Sequence, residues 1–182
     1  RLFSASGQTD LLEQIKNSEI KRMIEQSFIV LNQMIRSLEQ AKQAMIEYSK
    51  RFPEVELLET APGVGIITAC RFVAYVQTPQ RFSNKQKLWR YARLGITRRE
   101  SNGKRLSHPR LDSAGVGSLK DVSRKVFEAA RRTKHENSFK RFYEQSLEKT
   151  NNQVHARLST QRKILAVLRA MWLKMQPFED KL

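Results

Sequence analysis

The stretch Leu57–Val76, LLETAPGVGIITACRFVAYV, decides how this chain folds. At its centre Pro62-Gly63-Val64-Gly65 stands between two helical signals. Leu57 and Leu58 close one apolar run, and beyond the turn Ile66, Ala69, Cys70, Val73, Ala74 and Val76 return at roughly helical spacing. Proline fixes φ and suits a turn, while the two glycines permit positive φ and close approach of a foreign backbone. The second helix then opens with exposed amides beside Gly65, a seat for a phosphate. Helix, Pro-Gly-apolar-Gly, helix is the pattern of a helix-hairpin-helix, which grips nucleic-acid backbones without reading sequence. The plainer reading is a glycine-capped helix end and an ordinary turn.

Charge points the same way as the turn. The chain of 182 residues carries 34 Lys+Arg against 18 Asp+Glu, a formal charge of +16 and a pI near 10.4. A chain this basic meets a polyanion, with nucleic acid the first candidate. An anionic membrane surface would need a basic amphipathic helix with bulky apolar residues facing lipid. No run of about 18 apolar residues occurs, so no membrane partner is expected. The single Cys70 allows no internal disulfide and suits a reducing cytoplasm; its apolar setting favours packing over reactivity. The chain opens on Arg1 rather than a methionine, with a polar start and no signal peptide. It reads as a piece of a longer protein whose N-terminal part is missing from view.

Residues 1–9 read as frayed, with helix from Asp10. Ile24, Phe28, Leu31, Ile35, Leu38 and Met45 then form a heptad seam, imperfect at Lys42 and Ser49. No glycine or proline interrupts Ser18–Phe52, which makes a rod of roughly 50 Å. Such a rod needs a second helix, from its own domain, from the missing N-terminal part, or from another copy in a coiled-coil homo-oligomer. Phe52-Pro53 ends it. The expected fold is mainly α: a coiled-coil or linker helix over 1–52, then a compact helical domain over 53–182 with the helix-hairpin-helix and one short β-hairpin. Ser83 is the expected N-cap of a helix around Lys87–Arg93. Between Gly95 and Ser118 the apolar content drops. Asn102-Gly103 is a hairpin signal there, with Ile96-Thr97 and Arg105-Leu106 as its arms. Leu119, Val122, Val126, Phe127 and Ala130 make the stripe of the next helix, whose other face carries Lys120, Arg124, Lys125, Arg131 and Arg132. A helix through Phe139, Phe142, Tyr143 and Leu147 follows, and a long last one stops before Pro177.

The residue types limit the chemistry. His108, His135 and His155 are scattered, and Glu100, Asp112 and Asp121 are the only carboxylates between Phe82 and Val122. No metal or cofactor site is expected in this chain. Ser101 sits at the hairpin tip between Arg98, Arg99, Lys104 and Arg105. Those cations suit a phosphorane, but no base for the hydroxyl is visible beside it. On residue types alone, a phosphate contact or a turn residue is the commoner role for such a serine.

Taken in order, APGVG, RF-x5-LWRYARLG, ESNGK and LDSAGVGSLKDVSRKVFEAA resemble the C-terminal domain of insertion-sequence 110 family transposases. The matching positions are Pro62–Gly65, Arg81-Phe82, Tyr91–Gly95, Ser101–Lys104, and Gly115 with Leu119-Lys120. The resemblance covers roughly 53–172, and the rod matches the coiled-coil segment that joins the family's two halves. Two departures stand out: Arg93 occupies a position that is often glycine, and Asn102 replaces the first glycine after the serine. The resemblance implies a serine-dependent DNA recombinase acting as an oligomer in the bacterial or archaeal cytoplasm, at the nucleoid, and guided by a structured RNA. It implies Ser101 as the nucleophile, completed by a RuvC-like Mg²⁺ domain that this chain lacks. DNA contacts are expected from Gly63, Val64, Gly65, Arg98, Arg99, Lys104, Arg105, Lys120 and Arg124. The rivals are a non-catalytic helix-hairpin-helix module that only tethers nucleic acid, and an assembly protein that uses chiefly its rod.

Overall fold

A computed structural model describes residues 4–97, 100–101, 104–105 and 110–180, with residues 100, 101, 104 and 105 described by their backbone alone. Contacts divide the chain into two compact units, Arg1–Tyr48 and Ser49–Leu182. Eight α-helices dominate the described residues, joined by two short antiparallel ladders.

The first unit holds α1 (Ala5–Gln14) and most of α2 (Ser18–Ser49). Helix begins five residues earlier than the sequence suggests, because the Ser4 hydroxyl caps it by accepting from the Gly7 amide. Asn17 caps α2 in the same way, accepting from Glu19 and Ile20. α1 meets α2 through Gln8 and Asn32, whose amides exchange two hydrogen bonds of 3.0 Å each. Gln8 is buried, so this reciprocal pair fixes how the two helices meet. Along α2, Ile24, Phe28 and Leu31 are half-buried, while Leu38 is 57% exposed. A second stripe, Ile20, Met23, Val30 and Met34, is exposed beside it.

The second unit is built on α8 (Gln153–Lys174), against which α3 (Pro53–Glu59), α5 (Lys85–Tyr91), α6 (Gly117–Arg132) and α7 (Ser138–Thr150) all pack. α4 (Ile66–Val76) fills the remaining side, packing on α3 and α6. Leu119, Val122 and Val126 of the stripe read for α6 are fully buried, with Phe139, Ile164, Leu165 and Leu168; in α4 the core falls on Ala69, Phe72 and Val76, and Ala74 of the expected stripe is exposed. Junctions are closed by asparagines. Asn137 caps α7 through Phe139 and Lys140 and donates back to the Ala130 carbonyl at 2.9 Å. Asn151, at φ 45°, ends α7, and Asn152 caps α8. α5 is capped by Asn84 rather than the expected Ser83, since it is the Asn84 side chain that reaches the Lys87 amide.

The strands also pair differently from expectation. β1 (Ile96–Thr97) pairs with β4 (Arg110–Leu111), and β2 (Glu100–Ser101) pairs with β3 (Lys104–Arg105). Arg105 therefore partners Glu100 rather than Ile96, in the outer ladder, and Leu106 of the expected arm lies outside the described residues. With Ser101 opposite Lys104, two positions separate the strands. Those positions are Asn102-Gly103, which lie outside the described residues.

The turn between α3 and α4 is closed by the Val64 amide, which donates to the Ala61 carbonyl at 3.1 Å, and it presses against α6. Gly63 has φ +77°, and a methyl there would lie 2.5 Å from both the Ala130 nitrogen and the Val126 oxygen of α6. Gly65 differs: a methyl there meets nothing within 4 Å. Gly63→Ala should therefore destabilise the protein by about 2 kcal/mol or more, from positive φ and overpacking together. Gly65→Ala should cost less than about 1 kcal/mol. Urea denaturation of both variants checks this, and equal losses would contradict the assigned contact.

Candidate nucleic-acid interface

The segment 95–116 leaves the core and returns to it at one point, and that root is tightly specified. The Asp112 amide donates to the Gly95 carbonyl at 2.9 Å, and the Val116 amide to the Tyr91 carbonyl at 2.6 Å. Gly115 has φ +106°, and a methyl on it would lie 2.4 Å from that same Tyr91 oxygen. Arg93 takes a left-handed φ of 55°, the conformation for which glycine is the usual choice. Its guanidinium compensates by donating from Nε to the Gly115 carbonyl at 2.9 Å. Beneath the root, Tyr91 stacks between its neighbours: Arg81 lies 4.7 Å from its ring centre and the Phe82 ring 5.3 Å away. The Arg81-Phe82 pair and the Tyr91–Gly95 segment thus form a plinth for a two-ladder finger.

From this plinth starts α6, whose N-cap Val116 offers no side-chain acceptor. Beside that end lies a groove of about 380 Å³ between α6, β4 and α8. Leu111 and Gly117 line it together with Lys120, Asp121, Arg124, Arg157 and Gln161. Gln161 is 2% exposed, and its Oε1 has no hydrogen-bond partner. A buried, unpaired acceptor is costly, so it marks a place where a donor or an ordered water belongs.

The cations of α6 are not equivalent. Asp121 takes Arg124 at 2.7 Å, Arg71 of α4 at 3.0 Å and Lys125 at 3.3 Å, and Arg124 also holds Glu128 at 2.9 Å. The Arg124 guanidinium first, then Arg71 and Lys125, hold the Asp121 carboxyl at about 2, well below its ordinary 3.8, with burial opposing them. Lys120 and Arg157 make no ion pair among the described residues. They are the cations of this groove left for a foreign anion.

The expected turn residues separate into different roles. Gly63 packs on α6, Val64 is buried, and Gly65 is exposed at the start of α4. Thr68 closes a capping box with Gly65, accepting its amide at 3.0 Å and donating to its carbonyl at 2.7 Å. The amides of Ile66 and Ile67 have no acceptor among the described residues, which leaves them for an anion. Since Gly63 touches Val126 and Ala130 while the finger is rooted at Gly117, the two features sit toward opposite ends of α6, about 15–20 Å apart.

Ser101 lies in β2 and Lys104 and Arg105 in β3, on the outer ladder; Arg98 and Arg99 lie outside the described residues. Sequence reasoning missed Arg157 and Gln161. Their i,i+4 spacing places them on one face of α8, but nothing local to them signals that this face meets α6. No group of three His, Cys, Asp or Glu that could hold a metal occurs among the described residues. Burial pushes the Cys70 thiol up, so it remains protonated and unreactive. No helix of the described residues is long and apolar enough to cross a membrane.

Residues 55–144, from α3 into α7, match the model of the Transposase IS116/IS110/IS902 family. No curated protein matches the chain.

Asp121 gives two measurable consequences. Its folded value lies below its unfolded one, so the stability it contributes is complete above 3.8 and is lost as pH falls through about 2. Asp121→Asn should cost about 1 kcal/mol at neutral pH. In urea denaturation, the gap to the parent protein should narrow as pH is lowered through that window. At neutral pH the same variant releases Lys125 and leaves Arg124 with Glu128 alone, so duplex DNA should bind more tightly and with steeper salt dependence. A constant stability gap, or weaker DNA binding, would contradict this assignment.

Proposed function

The chain carries a domain of the IS116/IS110/IS902 transposase family, and on that premise we propose that it supplies both the DNA seat and the nucleophile for strand cleavage and exchange. Ser101, on the outer ladder of the finger, is the nucleophile. Its Oγ forms a bond to a phosphorus of the DNA backbone while one P–O ester bond breaks. The serine proton passes to a base, and the leaving sugar oxygen takes up a proton. Reversal of the step on a new strand end reseals the backbone, and no oxidant or reductant is needed. Arg98, Arg99, Lys104 and Arg105 flank the serine in sequence and meet the charge that grows on the phosphorane.

The single observation that carries this reading is the seat at the finger's root. There, uncommitted Lys120 and Arg157 and an uncapped helix start line one groove. The open amides beside Gly65 and, once released from Asp121, Arg124 extend this seat to further phosphates. A duplex laid along α6 reaches both ends of it.

The described carboxylates do not make a seat for Mg²⁺. Asp121 is saturated by three cations, and Asp112 accepts from the Ala114 amide at 2.9 Å in a local turn. On this reading the base for Ser101 belongs to a RuvC-like metal domain in the assembled transposase. The exposed stripe on α2 favours assembly through that helix into a homo-oligomer. A structured guide RNA would share the basic surface, and the setting would be the nucleoid of a bacterial or archaeal cytoplasm.

Ser101→Ala in the full-length transposase should abolish the covalent protein–DNA band on denaturing gels. Duplex affinity should stay within about twofold of the parent, because the cationic seat is untouched. A surviving covalent band would assign the chemistry to another residue and leave this chain as a tether.

A further inference from the structure

The residues of α8 that face the seat just described, Val154, Arg157, Leu158 and Gln161, occupy one side of the helix. At about 100° per residue, Ser159, Arg162, Lys163, Ala166 and Ala170 lie on a face turned by about 130° from them. Two adjoining hollows open on that second face and share Trp89 and Arg162 as their common wall. One, of about 450 Å³, runs from α5 to the segment Leu94–Ile96; the other, of about 500 Å³, lies between α5, α7 and α8. Each is of a size that holds a small organic ligand.

The common wall is braced. Trp89 donates from Nε1 to the Arg162 carbonyl at 2.9 Å, and Arg162 donates from Nε to the Leu94 carbonyl at 2.7 Å. The indole edge is thereby fixed. Across the larger hollow stands Phe142, half-buried, with the Lys163 ammonium 4.3 Å from its ring centre. The Lys85 ammonium lies 5.7 Å from the Trp89 ring centre. Between the aromatic walls the floor is small, with Ser159, Ala166 and Ala170. No carboxylate lines either hollow among the described residues, and Arg162 makes no ion pair among them. Burial works against the charge of Arg162, and burial with the nearby Arg141 outweighs Asp180 in doing the same to Lys163, so an anion between them offsets both.

Planar walls, a floor of small side chains and cations without carboxylates are the chemistry of a platform for unpaired nucleotides. A duplex cannot use it, because its bases are stacked inside; a lone phosphate would not need the rings. We infer that this groove binds single-stranded nucleic acid, stacking bases between Trp89 and Phe142 while Lys85, Arg162 and Lys163 take the phosphates. The inference stands apart from the serine and from α6. A displaced DNA strand and the loop of a folded RNA offer the same chemistry.

The test uses the 182-residue chain with oligothymidylate, oligouridylate and a blunt duplex, each of about twelve nucleotides per strand. Trp172 is 8% exposed, so quenching of tryptophan emission reports on Trp89. Both single strands should quench; tighter binding of oligouridylate identifies an RNA ligand, and tighter binding of oligothymidylate a DNA one. Phe142→Ala and Ala170→Leu should each weaken single-strand binding by about tenfold, with duplex affinity nearly unchanged and the helical circular dichroism retained. If Phe142→Ala loses its helical signal, Lys163→Gln on the rim carries the same reading. Absence of quenching, or single-strand affinity that survives these changes or falls in step with duplex affinity, would overturn the inference.

Discussion

Gly63 rests on the bare backbone of α6, with space for a hydrogen and nothing larger. That contact sets the angle at which α4 leaves the turn, and so where its open amides face. Farther along α4, Arg71 reaches Asp121, so the two helices are tied a second time nearer the start of α6. The finger is rooted at that start, where Gly115 admits the Tyr91 carbonyl and Arg93 reaches across to hold it. Under the proposed function α6 is a bar with an anion seat toward each end, both positioned by glycines that tolerate contact with another backbone.

Net charge alone would not locate these seats. Of the cations on α6, Arg124 and Lys125 are engaged by Asp121 and Glu128, and Arg131 lies 5.9 Å from the ring centres of both Phe127 and Tyr143. Lys120 and, from α8, Arg157 remain uncommitted beside an unpaired glutamine oxygen. The carboxylates of α6 therefore engage Arg124 and Lys125 and leave Lys120 unpaired among the described residues. They also join α4 to α6, so one acidic side chain serves both stability and selectivity.

The helical core was legible because its signal is periodic. Leu119, Val122, Val126, Phe127 and Ala130 repeat at helical spacing, and all five are buried. The errors fall where the deciding interaction is distant or where neighbours compete. Residues 4–9 looked too polar for a packed helix because the partner of Gln8 lies 24 positions away. Ser83 and Asn84 are both good caps, and local sequence does not choose between them. The strand arms were misassigned because two-residue polar strands carry no alternation. Of the site, the turn glycines and the basic face of α6 could be read directly. That Gly63 packs inward while Gly65 faces outward could not, because α6 follows about sixty residues later. Trp89 and Phe142 are likewise far apart in sequence, and each reads only as a mark of its own helix.

The central claim is that α6 holds two separate phosphate seats on one rigid bar. Replacing single phosphates of a bound duplex by neutral methylphosphonates, one position at a time, maps those seats through the loss of affinity at each position. The account predicts two clusters of sensitive phosphates separated by about 15–20 Å, or four to six base-pair steps along the axis. A single cluster, or a uniform small loss at every position, would contradict it.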